Sequence, residues 1–228
     1  MAGFIAYVLI FLIVGLGIGY LIATKMLGRE AATRNIRYVL PYMAVGAAFG
    51  LILTQLDGVY SQLAFPLIYV VGVSVWLLSW PSRHRDSGGL LLRAGRNSQS
   101  KLSLWIGVFE AIVSAVLSLE LFLVPISSFE DVSSEIALVA TFLAISVFFI
   151  SIGLSKLELK ENGLCFMFMF IAWSQMTSYK WEPSNPNTLT LKYKPRFPLM
   201  PGFMSIKVPP RHRADVDRIV QMQINPSV

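Results

Sequence analysis

Glu110, Ser114 and Ser118 recur at four-residue spacing inside a long apolar stretch, with Glu120 two residues further on. On a helix the first three share one face. A carboxylate surrounded by hydrocarbon is costly and usually faces a protein interior, a cavity or a partner. The set therefore reads either as a path for protons or cations or as hydrogen-bonded groups that orient helix packing. A second set, Phe166, Met167, Phe168, Met169 and Phe170, joins adaptable Met to rigid Phe, types favoured on contact surfaces. Docking to a partner and burial on both faces of a small domain are both compatible with it. A third set, Lys192, Lys194, Arg196 and Lys207, suits anionic lipid head groups, although a solvated face uses the same residues.

Covalent and metal chemistry have no comparable residues. His84 and His212 stand apart, each between two arginines and without metal-ligand spacing. Cys165 lies in an apolar run, where cysteine behaves as a small hydrophobe. Nucleophile elbow, phosphate loop and His-Glu-x-x-His motifs do not occur in the sequence. The chain is read as nonenzymatic, with no catalytic residue, metal or cofactor expected. Its basicity reads as a topology signal and gives no particular support to nucleic-acid binding.

The elements that must position these sets are mostly apolar. Hydrophobic residues make up 55% of the 228 and charged residues only 14%, too apolar a balance for a soluble globule. One cysteine excludes an internal disulfide. A spanning helix needs roughly 20 mostly apolar residues. Segments 4–26, 38–55, 63–80, 104–126 and 136–154 qualify, so residues 1–155 are expected to form a five-helix transmembrane bundle. The first segment lacks a basic flank and a small-residue cleavage site, so it is expected to be a retained helix. Lys25, Arg29, Arg34 and Arg37 separate helices one and two, and Arg83, Arg85, Arg93, Arg96 and Lys101 separate three and four. The opposite connections carry Asp57 and then Glu130, Asp131 and Glu135. Basic loops stay on the cytoplasmic side, which implies an N-terminus outside, or lumenal in a thylakoid, and a cytoplasmic C-terminus. Gly15 with Gly19, Gly46 with Gly50, and Gly107 with Ala111 and Ala115 are small-residue stripes, for packing within the bundle or for a homo-oligomer. Pro41 and Pro66 are expected near helix starts. Trp76, Trp80 and Trp105 suit interfacial anchors, and the loop with Leu90, Leu91 and Leu92 suits either topology or head-group contact.

Residues 156–228 change character and are expected to form a small α+β domain on the cytoplasmic or stromal side. A strand over 156–161, a type I′ turn at Asn162-Gly163 and a returning strand over 164–171 open it. Strands over 176–181, 188–194 and 203–208 follow, with Leu189, Leu191 and Tyr193 facing opposite to Thr190, Lys192 and Lys194. Pro209-Pro210 opens a final helix with Val216, Ile219 and Val220 as its apolar stripe. The meander closed by one helix resembles bacterial pleckstrin-homology-like modules on multi-pass membrane proteins. Glu161-Asn162-Gly163, Trp173, Ser178-Tyr179-Lys180-Trp181, Asn187-Thr188-Leu189, Arg196-Phe197-Pro198 and Ile206-Lys207-Val208-Pro209-Pro210 narrow it. These strings resemble an uncharacterised cytoplasmic domain of bacterial, particularly cyanobacterial, membrane proteins, over about residues 156–224. The resemblance implies a fold and a cellular context, a bacterial inner membrane or a cyanobacterial thylakoid, and carries no activity.

Three functions are expected to compete. The first is a noncatalytic accessory or assembly factor docked to a larger integral membrane complex, with a photosynthetic thylakoid complex as a candidate host. The second is a small transporter or channel subunit using Glu110. The third is an anionic-lipid sensor using the basic set.

Overall fold

The structure is a computed structural model that describes residues 16–37, 39, 59–123, 129–195 and 202–224. The chain divides into a central unit, Val45–Trp173, and a terminal unit made of Met1–Ala44 with Ser174–Val228.

The central unit holds α3 (Val59–Leu78), α4 (Trp80–Arg85), β1 (Leu90–Gly95), α5 (Ser98–Leu123), α6 (Phe129–Leu154), β2 (Leu157–Lys160), β3 (Gly163–Phe166) and β4 (Met169–Ala172). α6 packs on both α5 and α3. Small residues let α5 and α6 approach: a Cβ on Gly107 would lie 2.6 Å from the Ile150 nitrogen, and one on Gly153 would meet Leu104. Ser146 uses that proximity, its hydroxyl donating to the Gly107 carbonyl at 2.9 Å. The strands form an antiparallel sheet in the order β1-β2-β3-β4, and Leu157, Leu159, Leu164 and Phe166 are its core.

The terminal unit holds α1 (Leu16–Leu27), α2 (residues 29–37), β5 (Met176–Glu182), β6 (Asn185–Tyr193), β7 (Phe203–Lys207) and α7 (Arg213–Ile224). Its sheet runs β5-β6-β7, antiparallel throughout. Strand alternation gives this sheet two unlike faces. Trp181, Leu189, Leu191, Met204 and Ile206 line the apolar one, which α7 covers with fully buried Val216 and Val220. The Trp181 indole donates to Asp217 of α7 at 2.7 Å. Lys180, Glu182, Thr190, Lys192 and Ser205 line the other face, where α2 lies. Gly28 makes the elbow between α1 and α2 at φ +94°, and a Cβ there would lie 2.6 Å from the Ser184 hydroxyl.

Several expectations need correction. Among the described residues two helices are long and apolar enough to cross a membrane, Ser98–Leu121 and Glu135–Leu154, so the fold is not a five-helix transmembrane bundle with one appended meander. The apolar run near the N-terminus is described from Leu16, and its helix ends at Leu27 before left-handed Gly28; the rest of the expected segment 4–26 lies outside the described residues. The expected helix over 38–55 falls outside the described residues apart from position 39. α3 begins before the expected position, which puts Pro66 inside it, and it ends at Leu78 with Trp80 opening a separate helix. Two sheets replace the single meander, because β4 and β5 are not hydrogen-bonded neighbours, and the first sheet gains β1 from the basic loop, paired with β2. Glu161 and Asn162 form the turn after β2, and neither has positive φ, so it is not type I′. The expected strand over 164–171 is a hairpin: β3 and β4 are joined by Met167 and Phe168.

Candidate functional site

In the central unit the apolar set is built around the tip of that hairpin. Met167 and Phe168 have φ of 50° and 58°, the left-handed region that a two-residue hairpin requires and that Asn and Gly usually supply. Each such residue costs about 1–3 kcal/mol and persists only where its surroundings hold it. Here the Phe168 ring lies 5.2 Å from Trp76 and 5.0 Å from Trp80. Arg83 donates to the Phe168 carbonyl at 3.1 Å and to the Trp76 carbonyl at 2.7 Å. Beside the tip lies a cleft of about 320 Å³, lined by Trp80, His84, Lys156, Glu158 and Phe168 among others. Phe166 is buried in the sheet, Phe170 is half-buried and Met169 is exposed, so the five residues split between core, tip and surface.

A polar cluster borders this cleft. Lys160, almost fully buried, places its ammonium 2.9 Å from Nδ1 and 3.0 Å from Nε2 of His84. Glu158 accepts from Arg93 Nε at 2.9 Å and has His84 Nε2 at 3.5 Å and Lys160 Nζ at 4.0 Å. Burial, and then the neighbouring Lys160 charge, push the His84 pKa down against the opposing pull of Glu158. Burial likewise pushes the Cys165 thiol up, which disfavours the thiolate a nucleophile would need. The cations, the carboxylate and the imidazole engage one another, an arrangement suited to holding β1, α4 and β2 together. No group of three or more His, Cys, Asp or Glu among the described residues is placed to hold a metal ion.

The terminal unit has its own polar cluster. Arg34 of α2 donates to Glu182 Oε1 at 2.8 Å, and Glu182 has no exposed side-chain surface. Thr190 donates to the same oxygen at 2.5 Å and shares a 2.9 Å contact with Ser205, while Lys180 lies 3.2 Å from Glu182 Oε2. Burial works to raise the Glu182 pKa, but hydrogen bonds from Thr190, Lys180 and Arg34 outweigh it and hold the carboxyl below the ordinary value. The Arg34 guanidinium also stacks over Phe203, 5.3 Å from the ring centre. Of the basic set, Lys192 and Lys194 are exposed, and Arg196 lies outside the described residues. Lys207 is half-buried and bonds Asn185, with burial pushing its pKa down.

The polar residues of α5 do not act as one group. Ser114 is buried and donates to the Val139 carbonyl of α6 at 3.3 Å, whereas Ser118 donates back to Ser114 within its own helix. Glu110 is half-buried, and its Oε2 is buried with no hydrogen-bond partner among the described residues. Glu120 is exposed. Of the small-residue stripe, Gly107 is buried and Ala115 exposed. Gly15, Gly46 and Gly50 lie outside the described residues, as does Pro41.

Sequence reasoning missed the partners Arg34–Glu182 and Arg93–Glu158, because it read the basic loops as topology signals or head-group contacts and not as members of ion pairs. One signal was present in the first: Ala31 and Ala32, both fully buried, sit between Arg29 and Arg34 and mark an amphipathic turn.

Residues 155–225 match the model of a family described as a domain of unknown function, DUF5673. No curated protein and no solved structure matches the chain.

Proposed function

We propose that this chain is a noncatalytic integral membrane accessory or assembly factor that docks to a larger membrane complex. The observation that carries this reading is uncovered apolar surface. Only 17% of each spanning window is buried among the described residues, and Leu119, Leu123, Leu138 and Leu143 are exposed. Lipid covers such helices, and so do the helices of a partner. Among the described residues β4 is the last strand of its sheet and bears exposed Met169, and a sheet edge is a place where partners add strands. The charged clusters support a scaffold, since their groups are spent on one another. The distribution of Lys and Arg supports a cytoplasmic or stromal C-terminus, and the resemblance to cyanobacterial domains is what suggests a photosynthetic host. Purification of the tagged protein from its native membrane in mild detergent tests the reading. Stoichiometric recovery with a larger membrane complex is expected; recovery only as a monomer or homo-oligomer overturns it.

The second reading, a transporter or channel subunit, is favoured by one observation, the buried Oε2 of Glu110, which has no hydrogen-bond partner among the described residues. Glu110→Gln in reconstituted vesicles separates the two. Loss of ion flux with assembly intact supports transport, and absence of flux in the unaltered protein rejects it.

A further inference from the structure

The four cations of segment 25–37 do different things. Arg34 is turned into the sheet toward Glu182. Arg29 and Arg37 are exposed and form no ion pair among the described residues. With Thr33 they fall at four-residue spacing, on one stripe of α2. Across the Gly28 elbow, Tyr20 of α1 brings its hydroxyl 3.4 Å from Thr33 Oγ1 and within reach of the Arg29 side chain. Arg29, Thr33, Arg34 and Arg37 line an open concavity of about 520 Å³, which Glu30 also borders. The Glu30 carboxylate has Lys180 at 3.6 Å, which offsets its charge. The Arg29 and Arg37 guanidiniums thus border one concavity, with the Tyr20 hydroxyl close by, at the foot of a helix whose Ile18, Leu21 and Ile22 are exposed to the surroundings.

We propose that the α1–α2 elbow binds an anionic phospholipid, its phosphate held by Arg29 and Arg37 and its acyl chains lying along the exposed apolar side chains of α1. The two halves of such a molecule match the two halves of the elbow. A planar guanidinium grips phosphate oxygens through paired donors. The Thr33 hydroxyl donates to the Arg29 carbonyl at 2.9 Å, so the further donor is the Tyr20 hydroxyl beside it. The apolar side chains beside them make a free, water-soluble phosphate the poorer fit, because it would leave that surface wet. The buried Arg34–Glu182 pair serves a different end, fixing α2 on the sheet so that the stripe of Arg29, Thr33 and Arg37 points away from it.

The test uses the full chain in a neutral detergent, with dioctanoyl phosphatidylglycerol and dioctanoyl phosphatidylcholine as probes and native mass spectrometry or thermophoresis as the readout. The unaltered protein is expected to bind the anionic lipid about tenfold or more tightly than the zwitterionic one, a preference that weakens as salt is raised. R29Q/R37Q is expected to bind both lipids alike, and R29K/R37K to keep a reduced preference. Should R29Q/R37Q not fold, R37Q alone is expected to lose about fivefold in affinity for the anionic lipid. Equal affinity of the unaltered protein for the two lipids overturns the proposal, as does a full preference retained by R29Q/R37Q or R37Q. Displacement of the lipid by an equal concentration of inorganic phosphate overturns it too, since the site would then hold a free anion.

Discussion

In the central unit the segment that joins the sheet from the helical half of the chain is a strand, β1, which gives its backbone to β2. In the terminal unit it is a helix, α2, which gives a guanidinium to a buried carboxylate. Backbone pairing tolerates many side chains, whereas a buried ion pair depends on both of its members and becomes strongly unfavourable when one is removed. The pairs that accompany the two attachments differ accordingly: Arg93 is more than half exposed beside Glu158, while Glu182 has no exposed side-chain surface beneath Arg34. Solvent screens the first more than the second.

Arg34→Ala is the sharpest way to break this comparison. It leaves Glu182 buried with only Lys180 and Thr190, and a loss of about 3 kcal/mol is expected in thermal or denaturant unfolding. The double variant R34M/E182M should recover most of it, because it removes the buried charge along with its partner. Next is Phe168→Ala, which empties the space between Trp76 and Trp80; a loss of about 2 kcal/mol is expected, less than for a fully buried ring because Phe168 is only half-buried. Met167→Gly should act in the opposite direction, stabilising by about 1 kcal/mol, since glycine adopts the left-handed turn at no steric cost. If Met167→Gly destabilises instead, the side chain at the tip contributes more than its backbone strain costs.

Acidification gives the smallest effect and separates the two units. The folded pKa values of His84 and Glu182 both lie below the ordinary values, 6.5 and 4.5. Below each ordinary value the unfolded chain takes up the proton first, so the associated stability is full above that value and is lost as pH falls from there through the folded pKa. Hydrogen exchange, corrected for its intrinsic pH dependence, should therefore show β2 and β3 loosening below about pH 6.5, with β5 and β6 unchanged until about pH 4.5. His84→Gln should remove the earlier change and leave the later one. Simultaneous loosening of all four strands would show that the two clusters do not act separately.

How much was legible depended on how local each signal is. α5 and α6 were visible because an apolar run of such length has few alternatives; the expected 104–126 and 136–154 overlap Ser98–Leu123 and Phe129–Leu154. Alternation exposed the two faces of β6. The candidate sites were less legible. Nothing in Leu-Leu-Leu-Arg-Ala-Gly announces β1, whose strand exists because β2 offers it an edge. No turn residue marks Met167-Phe168; the tip is held in its left-handed conformation by Trp76, Trp80 and Arg83, all distant in sequence. Arg29 and Arg34 look alike in the sequence and are told apart only by Glu182, about 150 residues away in a chain whose segments pack through long-range contacts.

By itself, then, the sequence determined the division into apolar helices and alternating strands, the gathering of cations into particular connections, and the scarcity of reactive groups, because those properties reside in neighbouring residues and their periodicity. Only the tertiary structure decided that the basic connections supply a strand to one sheet and a helix against another, which of their cations meet a buried carboxylate and which stay exposed. Those outcomes depend on partners brought together across the chain, where the cost of burying a charge is met by a group that no local pattern identifies.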